Sequence, residues 1–138
     1  MTLKDFIGKG DRFAANSGVK VVSVGLGSAR AELLVTPEHL NAGGVCQGGA
    51  IFTLADTALA CAANSCLNLT LSLDATIRFH RAAREGELLI ADAVTLCAHS
   101  KIPSFDVKVT NEGGELIASF TSTCYTKPVP LTGIESFE

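Results

Sequence analysis

Among residues 39–73 the only Asp, Glu, Lys or Arg is Asp56. Its neighbours are Phe52 one turn before it and Leu59 and Ala60 after it, at helical spacing. An unpaired carboxylate on an apolar helix costs several kcal/mol if it is truly buried. Asp56 must therefore reach solvent, a hydrogen-bond donor or a functional cleft. In a cleft its pKa rises, and it can serve as a base or a nucleophile. Directly upstream runs Asn41-Ala42-Gly43-Gly44-Val45-Cys46-Gln47-Gly48-Gly49. Free backbone N–H groups at a helix start carry partial positive charge, and glycine lets a ligand come close to them. Such a start can polarise a carbonyl and hold the oxyanion that forms when it is attacked. Taken alone, each feature also fits a plain structural role, as a wet-side aspartate or a tight glycine entry to a helix. Together they carry a constraint. Gly48 and Asp56 are separated by about 12 Å along one helix, too far for one carbonyl to touch both. If both serve one reaction, two chains share the site across a two-fold interface.

The remaining polar groups point to fewer chemistries. Arg78, His80, Arg81 and Arg84 form a local basic run, which is either a solvated strand end or a docking point for a phosphorylated small molecule. The net charge of −3 argues against nucleic acid as a main partner. Cys46, Cys61, Cys66, Cys97 and Cys124 are odd in number and show no zinc-like spacing, so no metal site is expected. They read as small core residues of a cytoplasmic protein with reduced thiols. No uninterrupted apolar stretch of about 18 residues exists to span a membrane, and the N-terminus carries no secretory pattern.

The elements that must position these residues follow from periodicity. The 138 residues suit one domain, 47% of them hydrophobic and only 18% charged. That balance leans toward apolar surface buried between subunits. Residues 1–16 are expected to form one or two short helical turns as an N-terminal extension. Strands are expected at 19–24 and, with a period of two, at 29–35, closed by Pro37. Residues 39–49 read as a loop by their glycines. Ile51, Phe52, Ala55, Leu59 and Ala62 then recur at helical spacing, which predicts a helix over 48–65. It is apolar nearly all round, so other structure must wrap it. Residues 71–80 alternate without a fault and predict one strand. Further strands are expected at 88–98, from about 103 through 109, and at 116–125, with a hairpin turn at 111–114. Pro128 and Pro130 are expected to break the chain into a tail over 126–138. The whole is an α+β architecture: a long central helix held in a curved antiparallel sheet.

Here the sequence resembles the PaaI-type thioesterases of the hotdog superfamily. The resemblance is carried by Asn41 with Gln47-Gly48-Gly49 six residues on, and by Leu54-Ala55-Asp56-Thr57-Ala58, where Asp56 lies nine after Gln47. It continues through Ile77-Arg78-Phe79-His80-Arg81 and covers about residues 15–125. It implies a single hotdog domain over 1–138 that hydrolyses an acyl-CoA or aryl-acyl-CoA thioester. The backbone N–H of Gly48 would bind the thioester oxygen, with Gly49 beside it in substrate binding. Asn41 would hold that carbonyl or the attacking water, and Asp56 of the partner subunit would be nucleophile or general base. Ser72 matches a position where some members orient the water. Arg81, Arg84 or Lys101 would meet the phosphates of CoA. The resemblance also implies a homo-oligomer, a dimer or a dimer of dimers, with no cofactor beyond the CoA of the substrate.

One position departs from the pattern: the family's usual His is Gln47. Gln can donate and accept hydrogen bonds, but it cannot carry charge or move a proton near neutral pH. A slower enzyme, one tuned to other substrates, or a non-catalytic domain that binds acyl-CoA as a sensor would follow. A hydroxyacyl dehydratase ranks last, because His39, His80 and His99 all fall away from the loop-helix position.

Overall fold

The computed structural model describes residues 1–138. Its centre is α3 (Gly48–Asn64), buried on most sides through Ile51, Leu54, Ala55, Ala58, Leu59, Cys61 and Ala62. The alanines keep its surface thin, so strands approach closely all round. Around it curls a seven-stranded antiparallel sheet built from β1 (Lys20–Gly25), β2 (Ser28–Leu34), β3 (Asn68–Ser72), β4 (Thr76–Phe79), β5 (Leu88–Cys97), β6 (Ser104–Asn111) and β7 (Leu116–Pro130). The order is β1-β2-β5-β6-β7-β3, with β4 also paired to β7. Inward residues of β2, β5, β6 and β7, including Leu33, Leu89, Val107 and Phe120, close on the helix. The Phe52 ring meets Phe120 edge-on, with centroids 5.3 Å apart. This is the expected hotdog architecture.

Three elements differ from the sequence reading. Residues 71–80 do not form one strand. β3 and β4 are separate, and the link between them is held by Asp74, whose Oδ1 accepts from Thr123 N at 2.8 Å while its carbonyl accepts from Ser122 Oγ at 2.7 Å. An aspartate that bonds neighbouring backbone competes with the ladder, and the apolar alternation runs through the break without marking it. The final strand is also longer than expected. β7 continues past Pro128 to Pro130, where it pairs only with β3, across a register shift near Asn68. Proline is tolerated there because an edge position does not require its missing N–H.

The termini are more ordered than an extension and a tail. α1 (Leu3–Gly10) and α2 (Arg12–Asn16) bury Leu3, Ile7 and Ala14. Thr2 caps the first and Asp11 the second, with Ala14 N donating to Asp11 Oδ1 at 3.0 Å. Both helices pack on α3. Residues beyond β7 fold back on α1: Leu3 N donates to Ser136 O and Lys4 N to Phe137 O, each at 2.9 Å.

The far end of α3 is tied to β3 by the side chain of Asn64, and Ser65 Oγ accepts from Gly27 N in the β1–β2 turn at 2.7 Å. Asn64 is buried; its Nδ2 donates to Ala60 O (2.9 Å) and Thr70 O (3.2 Å), and its Oδ1 accepts from Thr70 N (2.9 Å). Asn64→Ala leaves the Thr70 amide unpaired in the interior. It should cost about 1–3 kcal/mol in urea denaturation at fixed protein concentration.

Candidate active site

The loop before α3 is braced from within. Asn41 Oδ1 accepts from Gly43 N (2.9 Å) and Val45 N (3.3 Å), and Gly44 sits at φ +80°, where glycine is at ease. The Asn41 Nδ2 group has no partner in the chain. His39 holds the loop from below: its Nδ1 accepts from Thr36 N at 3.0 Å, so its Nε2 carries the proton and donates to Ser17 O. Gln47 N donates to His39 O at 2.7 Å, and Cys46 N to Ala83 O at 2.8 Å. The last bond fastens the loop to the segment that carries Arg81 and Arg84.

Gln47 is the N-cap of α3, but its side chain makes no capping bond. Ala50 N and Ile51 N turn back to Gln47 O, which leaves the amides of Gly48 and Gly49 without an acceptor in the chain. Gly48 is favoured by contact with a rigid ring, whereas a side chain at Gly49 would need Gln47 to move. A Cβ on Gly48 would come within 2.9 Å of Phe79 Cζ, and one on Gly49 would collide with Gln47 Oε1. The result is an open pair of N–H groups at the positive end of a helix of seventeen residues.

Asp56 lies two turns on, half-buried, with no hydrogen bond or ion pair. It opens into a cavity of about 480 Å³ that Ser72 also lines, together with Asp11, Leu59 and Leu71. Burial pushes its carboxyl above the ordinary carboxylate range, and the nearby charge of Asp11 pushes the same way. Burial likewise raises the Cys46 thiol to about 11 and the Cys61 thiol to about 12. Cys46 therefore stays a thiol at neutral pH, which agrees with its reading as a core residue.

The expected site residues fall into separate groups. Asp56 and Ser72 share the first cavity. Asn41, Gln47 and Gly49 line another, of about 530 Å³, with His39 and Thr53. Neither cavity joins the two sets. Arg81 and Arg84 are exposed just past β4, with Arg81 paired to Glu115 at 3.1 Å. Lys101 lies at the opposite end of the sheet, where its carbonyl accepts from Thr126 N. β4 ends against Ala118, and from Ala118 to Thr126 is roughly 26 Å along β7. One chain cannot bring Lys101 to the ligand group that Arg81 meets.

Two residues at the site were not singled out from the sequence. Phe79 packs over Gly48 while remaining exposed on its other side, and nothing in its alternating strand signals that contact. Asp11 faces the Asp56 cavity. Its position before Arg12-Phe13-Ala14 carries an N-cap signature, but nothing local signals a neighbour as distant in sequence as Asp56.

One long helix in a curled sheet, with open amides at the helix start and a lone carboxylate at its middle, is an arrangement whose groups suit thioester hydrolysis. The chain belongs to the thioesterase superfamily, which it matches over residues 43–118, and within it is PaaI-type. It is 37% identical to an Archaeoglobus fulgidus protein named "Putative esterase", over 89% of this chain and 80% of that one. It is 30% identical to the Escherichia coli acyl-coenzyme A thioesterase PaaI, over 89% and 88% of the two chains. The solved structure of E. coli PaaI superposes with a TM-score of 0.83, at 26% identity, covering 92% of this chain and 96% of that one. A Streptococcus mutans protein solved bound to acetyl CoA superposes at 0.75, with 26% identity over 79% of this chain and 88% of that one.

The raised carboxyl of Asp56 has a consequence for stability. Folded Asp56 holds its proton more tightly than the unfolded chain does. Stability therefore falls as pH rises from the unfolded carboxyl pKa of about 3.9 through the raised folded value. Asp56→Asn removes that cost. Its Tm at pH 7 should exceed that of the parent, and the gain should vanish near pH ~3, where both states are protonated.

Proposed function

We propose that the protein hydrolyses acyl-CoA thioesters at sites shared between two subunits. The observation that carries this reading is the separation of the parts: the unpartnered carboxylate of Asp56 opens into one cavity, while the unpartnered amides of Gly48 and Gly49 lie two turns away at the start of α3, where Gly49 lines another. A second chain completes the constellation. Two further features support such a partner. β3 and β4 each pair on one side only, with β7, and Leu71, Leu73 and Phe79 along them are exposed. A sheet edge bearing apolar side chains is a surface that association covers.

In this reading the thioester oxygen accepts from the Gly48 amide, and the Asn41 Nδ2 group steadies it or the water. Gly49 borders the bound substrate. Asp56 of the partner takes a proton from water, which attacks the carbonyl carbon. Ser72, in the Asp56 cavity, orients that water, which favours a general base over direct attack. The oxyanion collapses, the C–S bond breaks, and the CoA sulfur takes the proton back from Asp56. Asp56 supplies both proton transfers, so Gln47 need only shape the loop. No metal or redox group enters the sequence of steps. Arg81 and Arg84 are the residues that meet the CoA phosphates. Lys101 takes part only if it reaches the ligand from another subunit. The acetyl CoA bound by the Streptococcus mutans neighbour and the activity named for the Escherichia coli relative support CoA as the carrier.

The test is release of free thiol from a panel of phenylacetyl, benzoyl, butyryl, hexanoyl and palmitoyl CoA. Asp56→Ala and Asp56→Asn should each lose about a hundredfold or more in kcat. The kcat/KM of the parent should fall on acidification with an apparent pKa above the ordinary Asp range, because protonation of Asp56 removes the base. Full activity in Asp56→Asn would sink this assignment. Gln47 favours a second reading, an acyl-CoA sensor without turnover. That reading predicts calorimetric binding of an acyl-CoA with no thiol released from any member of the panel, and turnover regained in Gln47→His.

A further inference from the structure

The cavity beside Asp56 extends away from the carboxylate along the second half of α3, past Leu59, Ala60 and Ala63. From Asp56 to Ala63 is roughly 10 Å along the helix, enough for a medium acyl chain. Its outer wall comes from the N-terminal helices, through Phe6, Ile7 and Asp11, and from Leu131 beyond β7. The lining is apolar except for a few groups, and the charged ones are of one sign. Asp11 faces in from the junction of α1 and α2, Asp56 from α3, and the Cys124 thiol from β7. Asp74, in the link between β3 and β4, and Cys61, on α3, lie close enough to these groups to interact with them. No lysine, arginine or histidine lines the cavity.

On the reading of Asp56 given above, we infer that this cavity is the acyl chamber and that Asp11 is its specificity-determining residue, excluding acyl groups that end in a carboxylate. An alkyl or aryl end lies against Phe6, Ile7 and Leu59 at no electrostatic cost. The terminal carboxylate of a dicarboxylic acyl group meets a second carboxylate in a cavity that no cation lines, and repulsion is strong in a partly desolvated site. The same charge acts on Asp56 itself, in the direction its carboxyl already shows.

The test compares hexanoyl-CoA with adipoyl-CoA, which have the same chain length and differ by one terminal carboxylate. The parent should prefer hexanoyl-CoA by about a hundredfold or more in kcat/KM. Asp11→Asn should narrow that ratio by about tenfold or more and move the acidic limb of the pH profile to lower pH. Asn and Ser both cap helices as Asp does, so Asp11→Asn and Asp11→Ser should keep α2 and shift the ratio alike. A parent that accepts adipoyl-CoA as readily as hexanoyl-CoA, or a ratio unmoved in both variants, overturns the inference. The outcome is separable from the catalytic role of Asp56. Calorimetric Kd values for the two ligands, measured in Asp56→Asn with and without Asp11→Asn, require no turnover. A hexanoyl preference that shrinks with Asp11→Asn sustains the inference there, and equal or absent binding of the two ligands overturns it.

Discussion

The fold depends on one constraint: α3 has no polar face to give to water. Sixteen of its seventeen residues are uncharged, from Gly48 to Asn64, and most are buried. The helix is stable only if something encloses it. A flat sheet covers one side of a helix, whereas this helix needs cover on nearly all sides, so the sheet must curl. The alanines at 55, 58, 62 and 63 let strands approach closely, and Asn64 fixes the helix end to β3 through two hydrogen bonds with Thr70. The N-terminal helices cover the side that the sheet leaves open.

Within that enclosure, one carboxylate is an expensive exception. Asp56 has no donor to offset its burial, and Asp11 adds a like charge instead of a cation. Nothing in the packing requires a carboxylate here, and an Asn of similar size would cost less. Chemistry of that kind is a reason to keep a group that stability disfavours. The open amides of Gly48 and Gly49 follow the same pattern. A serine or aspartate at the N-cap would satisfy one of them, yet Gln47 leaves both free and folds its side chain over Gly49.

Much of this was legible in the residues themselves. The run from Gly48 to Asn64 has no breaker and a clear helical period, and Asp56 is its single charge, so helix and carboxylate could be read together. Strands β2 and β6 were marked by alternation between polar and apolar positions, and β5 by a long apolar run. What escaped depended on long-range contacts. The split between β3 and β4 rests on Asp74 reaching Thr123 and Ser122, while the local pattern ran on unbroken. β7 continues through two prolines because of its position beside β3, which no local signal records. Asp11 announces a helix cap, and its place across the cavity from Asp56 exists only once α1 and α2 have docked.

The sheet topology also bears on how the chain assembles. β1 with β2, and β5 with β6 and β7, are joined by short turns and can form as separate local units. The contact between β2 and β5 joins Ala31 to Ala91 and closes a loop that contains all of α3. Closing so long a loop carries an entropic cost that local hairpins avoid. Until it closes, the apolar helix has cover on one side at most. The β2–β5 seam is therefore the long-range pairing on which enclosure of α3 depends.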